Sequence, residues 1–297
     1  MTFAVRIGIA SFAELPPEFR DDERLAEAIQ TLGAGVEIEP WDSPAVDWES
    51  FDLVVIRSTW DYHDRREEFV AWVEGLEGRV HNAPALVRWN SDKRYMGDLA
   101  DAGLPVVETR YVEPGDPVPE LDGEIVVKPN VSAGARATGR FNPATHEVAA
   151  DLIASIQASG STAMVQRYQP AVDTVGETAV LCIDGEPVHA LRKRAVLRPD
   201  EVAPLRDDAI GAAEAMYDPE LVTPTEATDA EIDHARTIVA WVTGRFDYLP
   251  LYARVDMVPG PDGAPVLMEL EAIEPNFYLD QVPATTEVVA DAILKRL

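Results

Sequence analysis

The chain has 297 residues, with 53 acidic against 25 basic side chains and a net charge of −28. That length exceeds one ordinary core and suits two or three small domains, and an apolar content of 46% supports a large core and argues against disorder. So acidic a surface repels nucleic acid and anionic membrane, which excludes both as general partners and leaves any anionic substrate dependent on a local cluster of cations.

No apolar run approaches the roughly 20 residues needed to span a bilayer. The first ten residues, Met1 to Ala10, alternate like a strand and lack the profile of a signal peptide. The single cysteine, Cys182, sits among apolar neighbours and reads as a core thiol, which fits a reducing cytoplasm. Only four basic residues are lysines: Lys93, Lys128, Lys193 and Lys295. Lysine is a compact point charge suited to phosphate oxygens, so each is worth tracing.

In chain order, strand patterns at Val5–Ala10, Val36–Glu39 and Leu53–Arg57 alternate with a helix from Glu23 to Leu32, closed by Gly33. A second helix, Glu67 to Leu76, leads to a short strand at Arg79–Asn82. Alternating β and α elements predict a small parallel sheet with helices on its faces, a Rossmann-like unit over residues 1–88. The dinucleotide fingerprint is missing, because Gly33-Ala34-Gly35 ends a helix instead of opening one.

A second unit is expected over residues 89–165. It opens with a helix, Asn90 to Ala102, closed by Gly103, and continues with strands at Val106–Val112 and Ile125–Lys128. A loop of small residues (130–140), a helix from Thr145 to Ser159 and a strand at Ala163–Tyr168 follow. A third unit, 166–297, begins with a hairpin, Thr178–Ile183 and Val188–Arg194, turning at Asp184-Gly185. Residues 195–227 read as a Pro-rich, mobile excursion. Thr228 and Glu231 form a capping box for a helix to about Phe246. A second hairpin, Leu251–Val258 and Val266–Glu271, and a closing helix from Thr286 complete the chain.

The second hairpin is the most informative piece. Alternation puts Tyr252, Arg254 and Asp256 on one face, and Glu269 with Glu271 on one face of the returning strand, with Val266, Met268 and Leu270 on the other. The turn sets Asp256 opposite Glu269 to within about one residue of register. Three close carboxylates repel unless a cation lies between them, and hard oxygen ligands suit Mg²⁺; a solvated acidic face would look the same. Lys128 closes an apolar strand just before a loop holding Ser132 and Gly134, where backbone N–H groups and little bulk suit phosphate. A strand-end lysine reaching for solvent fits the same pattern.

The strand Met164-Val165-Gln166-Arg167-Tyr168 could offer its end to an adenine edge, with Met164 and Val165 as walls, or be ordinary core. Arg192-Lys193-Arg194 is an island of positive charge that could hold a carboxylate or polyphosphate. The five histidines show no metal-type spacing, and the absence of any Gly-Lys pair excludes a P-loop.

Taken in order, these segments resemble the ATP-grasp superfamily, particularly its glutathione-synthetase-like branch, over about residues 83 to 280. The resemblance implies an α/β (α+β) ATP-grasp fold behind a Rossmann-like domain, and an ADP-forming carboxylate–nitrogen ligase using ATP and Mg²⁺. Asn90-Ser91-Asp92-Lys93 and Val126-Val127-Lys128-Pro129 look like its two ATP-lysine segments, and Gln166, Arg167 and Tyr168 sit at its adenine hinge. Arg167 stands where a carboxylate often contacts ribose, which makes Glu177 the substitute. Asp256, Glu269 and Glu271 match its magnesium ligands, with Glu271 where asparagine is common, and Arg254 matches its phosphate-binding arginine. Arg192 or Lys193 would join Arg254 in catalysis.

A narrower likeness is to the O-ureido-serine cyclo-ligases that close the cycloserine ring. It is carried by Arg57-Ser58-Thr59-Trp60-Asp61-Tyr62, by Asp184-Gly185-Glu186 through Arg194, and by Glu269 through Glu274-Pro275. It implies antibiotic biosynthesis, a small amino-acid-like substrate and recognition by Arg57, Ser58, Thr59, Trp60 and Asp61; the superfamily often forms homodimers. An intermolecular amino-acid or peptide ligase and a non-catalytic ATP-binding module remain open on the residues alone.

Overall fold

A computed structural model describes residues 4–16, 19–76, 78–204, 207 and 211–297. Residues 1–3 of the alternating stretch Met1 to Ala10 therefore lie outside the described residues, as do 205, 206 and 208–210 of the Pro-rich excursion.

The N-terminal unit runs β1 (Arg6–Ser11), α1 (Asp21–Thr31), β2 (Gly35–Pro40), β3 (Leu53–Ile56), α2 (Arg66–Gly75) and β4 (Val80–His81). Its sheet is parallel, in the order β2-β1-β3-β4. Both faces are covered, which explains its near-continuous apolar strands. Ile7, Ile9 and Val55 face Leu25 and Ile29 of α1, while Val54 and Ile56 face Phe69, Val70 and Val73 of α2.

The expected helix Asn90–Ala102 is two helices, α3 (Pro84–Asn90) and α4 (Tyr95–Asp101). The break has a cause: the Lys93 amide leaves the helical ladder and donates to the Asn130 carbonyl (2.8 Å), which ties residues 91–94 to the next unit. Residues 105–107 form no strand of that unit; they bridge the edge at Leu267, and Val107 N–H donates to its carbonyl (2.9 Å).

The central sheet comprises β5 (Thr109–Val112), β6 (Ile125–Pro129), β7 (Gly139–Phe141) and β8 (Ala163–Arg167), with α5 (His146–Ala158) between the last two. After α6 (Ala171–Thr174) come β9 (Glu177–Ile183), β10 (Glu186–Lys193), β11 (Glu201–Val202), β12 (Val222–Thr225), α7 (Asp229–Phe246), β13 (Tyr252–Pro259), β14 (Pro265–Glu271) and α8 (Thr285–Leu294). The central order is β11-β7-β6-β8-β5 and the C-terminal order β12-β10-β9-β13-β14. The division expected at residue 165 falls inside β8, and α8 returns to pack with α1 in the N-terminal core.

Local chemistry accounts for the punctuation. Asp184 and Gly185 both take positive φ (49° and 83°), as a type I′ hairpin turn requires. Glu231 N–H donates to the Thr228 hydroxyl, and Thr228 N–H donates back to the Glu231 carboxylate (2.8 Å), closing the capping box of α7.

Two buried asparagines lock the strands that carry the site. The Asn82 amide donates to the Tyr252 and Ala272 carbonyls (2.8 Å each), and its oxygen accepts from Leu251 N–H (2.7 Å). Asn90 donates to the Leu270 carbonyl and accepts from Ala272 N–H. Asn82→Ala would strand three buried backbone groups, so we expect it to lower unfolding free energy by roughly 3–5 kcal/mol. Urea unfolding checks this, and a loss well under 1 kcal/mol would contradict the lock.

Candidate active site

Three of the four lysines meet at one cleft of about 680 Å³ between the central and C-terminal sheets, walled at one end by the N-terminal unit. Along β6, Ile125 and Val127 pack into the core under α5, so Val126 and Lys128 face the cleft. The Lys128 ammonium has no ion pair or hydrogen bond among the described residues, and burial lowers its proton affinity. Lys93, turned inward by the helix break, donates to the Ser132 carbonyl (2.5 Å) and lies 3.3 Å from Glu269. Lys193 ends β10 and donates to Asp256 (2.8 Å), with Glu177 at 3.6 Å.

Strand alternation separates the two candidates on β10. Arg192 does not line the cleft; it lies on the opposite pleat, where its charge acts on Glu231. The expectation that it joins the site is therefore corrected in favour of Lys193.

On β13, Ala253, Val255 and Met257 enter the core under α7, while Tyr252, Arg254 and Asp256 share the other face. Asp256 pairs directly opposite Glu269, and Arg254 opposite Glu271. Arg254 grips Asp256 with two bonds (2.8 and 2.9 Å) and also donates to Glu271. Burial opposes the charge on Asp256, but Arg254 and Lys193 outweigh it and hold the carboxyl well below the usual range. Burial, only partly offset by Arg254, pushes Glu271 up to about 7, with Asp256 and Glu269 adding to the rise.

Thus the carboxylates converge on cations of the protein, and among the described residues no three acidic, histidine or cysteine side chains are gathered tightly enough to cage an ion. The chemistry of the donor set still suits Mg²⁺: all are hard carboxylate oxygens, and the half-buried Glu269 and Glu271 both line the cleft. A β-bulge after Asp256 also places Met268 on the cleft side, beside Glu269, against the expected strict alternation.

Met164 and Val165 do not wall the cleft: Val165 packs into the core under α5, Met164, opposite Lys128 in the sheet, is fully buried, and Val126, Val172 and Met268 form the apolar slot instead. Gln166 donates to Thr109 (2.8 Å). The Arg167 side chain turns out to Asp122 (2.9 Å), and Tyr168 donates to Asp173 (2.7 Å) beneath the Arg140 guanidinium. Burial raises the Glu177 carboxyl, with Lys193 opposing.

The small-residue loop is held from above, since Ala213 N–H donates to the Gly134 carbonyl (2.8 Å). Gly134 has φ +61°, and a Cβ there would meet the Ala212 Cβ at 2.6 Å. Gly134→Ala should therefore disturb the loop by about 1–2 kcal/mol, read as a roughly 5- to 30-fold rise in KM for ATP. An unchanged KM would show that this packing does not shape the nucleotide end.

Comparison with known proteins agrees with this geometry. The chain is 32% identical over 302 residues to the cycloserine biosynthesis protein DcsG of Streptomyces lavendulae, covering 97% of each. The chain belongs to the DcsG family. The family profile described as D-cycloserine synthetase DcsG, N-terminal domain, matches residues 7–82. The crystal structure of D-cycloserine synthetase DcsG superposes with a TM-score of 0.85 at 30% identity, covering 98% of this chain and 99% of that one. Two further structures share the fold. The D-alanine–D-alanine ligase of Bacillus anthracis has a TM-score of 0.67 at 15% identity, covering 99% of this chain and 97% of that one. The RimK-domain ATP-grasp protein of Sphaerobacter thermophilus DSM 20745 has a TM-score of 0.66 at 17% identity, covering 98% and 100%. The fold is ATP-grasp, and this DcsG-family chain is an ATP-dependent ligase.

The N-terminal wall of this DcsG-family cleft departs from expectation. Arg57, Ser58 and Thr59 are sealed in the interior, with 1%, 1% and 0% exposure. Arg57 donates to the Pro275 carbonyl (2.8 Å), lies 3.5 Å from Asp22 and covers the Phe277 ring. Ser58 donates to Asp22, and Asp61 accepts from Trp41 (2.9 Å) and Arg65 (3.1 Å). Of these five residues only Trp60 lines the cleft, and the other four support that wall from behind.

Residues given no site role from the sequence complete the wall: Tyr62 and His63 after β3, and Glu274, Asn276 and Tyr278 after β14, although Tyr62 and Glu274 lie within the motifs of the narrower likeness. The signal available for Glu274, Asn276 and Tyr278 was their alternation with Ile273, Pro275 and Phe277 just after the acidic strand, and for Tyr62 and His63 their place after the apolar strand β3. Among the described residues no helix is long and apolar enough to cross a membrane.

Proposed function

We propose that this ligase closes O-ureido-serine to the cycloserine ring at the expense of ATP, with Mg²⁺, in the cytoplasm. What supports the reading is the full-length match to the DcsG relative, N-terminal substrate wall included, joined to a cleft that gathers Lys93, Lys128, Lys193 and Arg254.

In this reading adenine enters the slot of Val126, Val172 and Met268 beside Gln166, Arg167 and Tyr168, with Glu177 toward the ribose. Lys93 and Lys128 hold the α- and β-phosphates, and the loop at Ser132 and Gly134 covers them. Asp256, Glu269 and Glu271 would hold Mg²⁺, Asp256 through the lone pair left by its bonds to Arg254 and Lys193. Bound there, the ion would neutralise charge on the β- and γ-phosphates.

The substrate carboxylate then attacks the γ-phosphorus to give an acyl phosphate. Arg254 and Lys193 stabilise the transferring group, where catalysis is mainly positioning and electrostatics. The nitrogen bonded to the side-chain oxygen attacks the acyl carbon and phosphate leaves. Its carbamoyl group must afterwards be removed by water to reach cycloserine. The segment over the small-residue loop excludes water from the acyl phosphate meanwhile.

The test is phosphate release from ATP and Mg²⁺ across a panel of amino acids including O-ureido-serine, with mass spectrometry of products. The expected result is release specific to O-ureido-serine, lost in a Glu269→Gln/Glu271→Gln double variant. Release driven by a pair of separate amino acids would assign intermolecular ligation instead.

A further inference from the structure

Ring closure needs a base. The attacking nitrogen carries a proton that must leave as the bond to the acyl carbon forms, and a carboxylate whose oxygens are already engaged by arginine or lysine has fewer lone pairs free to take it. The acidic groups at the phosphoryl end are nearly all clamped. Asp256 is held by Arg254 and Lys193, Glu271 by Arg254, Glu269 by Lys93 and Glu177 by Lys193.

Glu274 is different. Its carboxylate lines the cleft, forms no ion pair and accepts from no other residue among those described. Its backbone, by contrast, is pinned on both sides. Trp60 donates to the Glu274 carbonyl (3.3 Å), Arg57 to the Pro275 carbonyl (2.8 Å) and Arg254 to the Asn276 carbonyl (3.3 Å). A rigid stem therefore presents an uncommitted carboxylate between the phosphoryl end and the N-terminal wall. This pinning also gives the buried Arg57 a task, that of positioning the segment.

We infer that Glu274 is the base that takes the proton from the attacking nitrogen in ring closure. The inference rests on the ring-closing reading above. In the step, the nitrogen lone pair forms the bond to the acyl carbon, and the carbon–oxygen bond to phosphate breaks with its electron pair leaving on phosphate. The nitrogen's proton passes to a Glu274 oxygen. The groups that face it are Glu271 and Glu269 on β14, Lys93 after α3, Tyr62 of the N-terminal unit and Tyr252 on β13. Burial, with the charges of Glu271 and Glu269 and against that of Lys93, lifts the Glu274 carboxyl to about 8, near the value that suits a base at neutral pH.

The experiment compares the full-length wild type with Glu274→Gln and Glu274→Asp, using ATP, Mg²⁺ and O-ureido-serine, with and without hydroxylamine. Hydroxylamine attacks an acyl phosphate without a protein base and yields a hydroxamate. Glu274→Gln should form ring product about 100-fold more slowly, yet convert the same substrate to hydroxamate at a rate near wild type, which also shows that the variant is folded. Glu274→Asp should recover part of the ring closure, and the acid limb of the wild-type pH profile should disappear in Glu274→Gln. Ring closure by Glu274→Gln within a few-fold of wild type would overturn the assignment. So would loss of hydroxamate along with ring product, or a raised KM for O-ureido-serine with turnover intact, since either places Glu274 in binding or phosphoryl transfer. If wild type makes neither product from O-ureido-serine, the substrate reading itself fails and takes this role with it.

Discussion

Arg254→Met is expected to reduce ligase turnover by about a thousandfold and to lower unfolding free energy by about 3–5 kcal/mol. Both effects have one source. The guanidinium is 4% exposed and bonds Asp256 twice while also reaching Glu271, so its removal leaves two carboxylates facing each other without their main counter-charge. Lys193 alone cannot take its place, because its ammonium already serves Asp256 and Glu177. Arg254→Lys should fail nearly as badly, since one compact ammonium cannot span both partners as a planar fork does. ADP release reads the first effect, and urea unfolding followed by tryptophan fluorescence the second. A variant as stable as wild type would show that these carboxylates can relax by protonation, and the anchoring account would fall.

Lys128→Met should separate binding from stability. In the absence of nucleotide the variant should be as stable as wild type or more so, because the methionine fills the same slot without a buried, unpartnered ammonium. The folded chain holds that proton less tightly than the unfolded chain does, so the charge subtracts stability at neutral pH and subtracts less as pH rises. The thermal stabilisation by saturating ATP, about 2.7 kcal/mol at a hundred times Kd, should nearly vanish in the variant. A differential scanning experiment with and without Mg-ATP measures both. If Lys128→Met loses stability without nucleotide, the lysine has a structural partner in the free protein, and its assignment to phosphate weakens.

Much of this site is legible in the sequence because it sits on strands. The two-residue period puts Arg254 and Asp256 on one face, and the short turn fixes which residues of the returning strand oppose them. The pairing of Asp256 with Glu269 follows. The same period, applied to Arg192 and Lys193, assigns one of them to the cleft but not which one, since both faces of β10 are covered. Met268 escapes the period because a bulge is a local insertion that no alternation announces. The helix expected through Lys93 breaks on a bond to Asn130, a partner 37 positions away in the sequence, which helical propensity cannot register.

The N-terminal wall shows the boundary most clearly. By itself the sequence determined the parallel sheet of the N-terminal unit, the lysines that stand out in an acidic chain and the carboxylate strands, because each depends on local periodicity, turn chemistry or composition, while the ATP-grasp architecture followed from the resemblance these motifs carry. Only the tertiary structure decided that Arg57, Ser58 and Thr59 are buried supports, that Trp60 and Tyr62 face the cleft, and that Glu274 is left without a cation. Those outcomes depend on which charges meet across more than 200 residues, as Arg57 meets the Pro275 carbonyl at a separation of 218. A charged side chain in a sequence carries no record of whether its partner is substrate or the protein's own backbone; burial and distance alone distinguish the two.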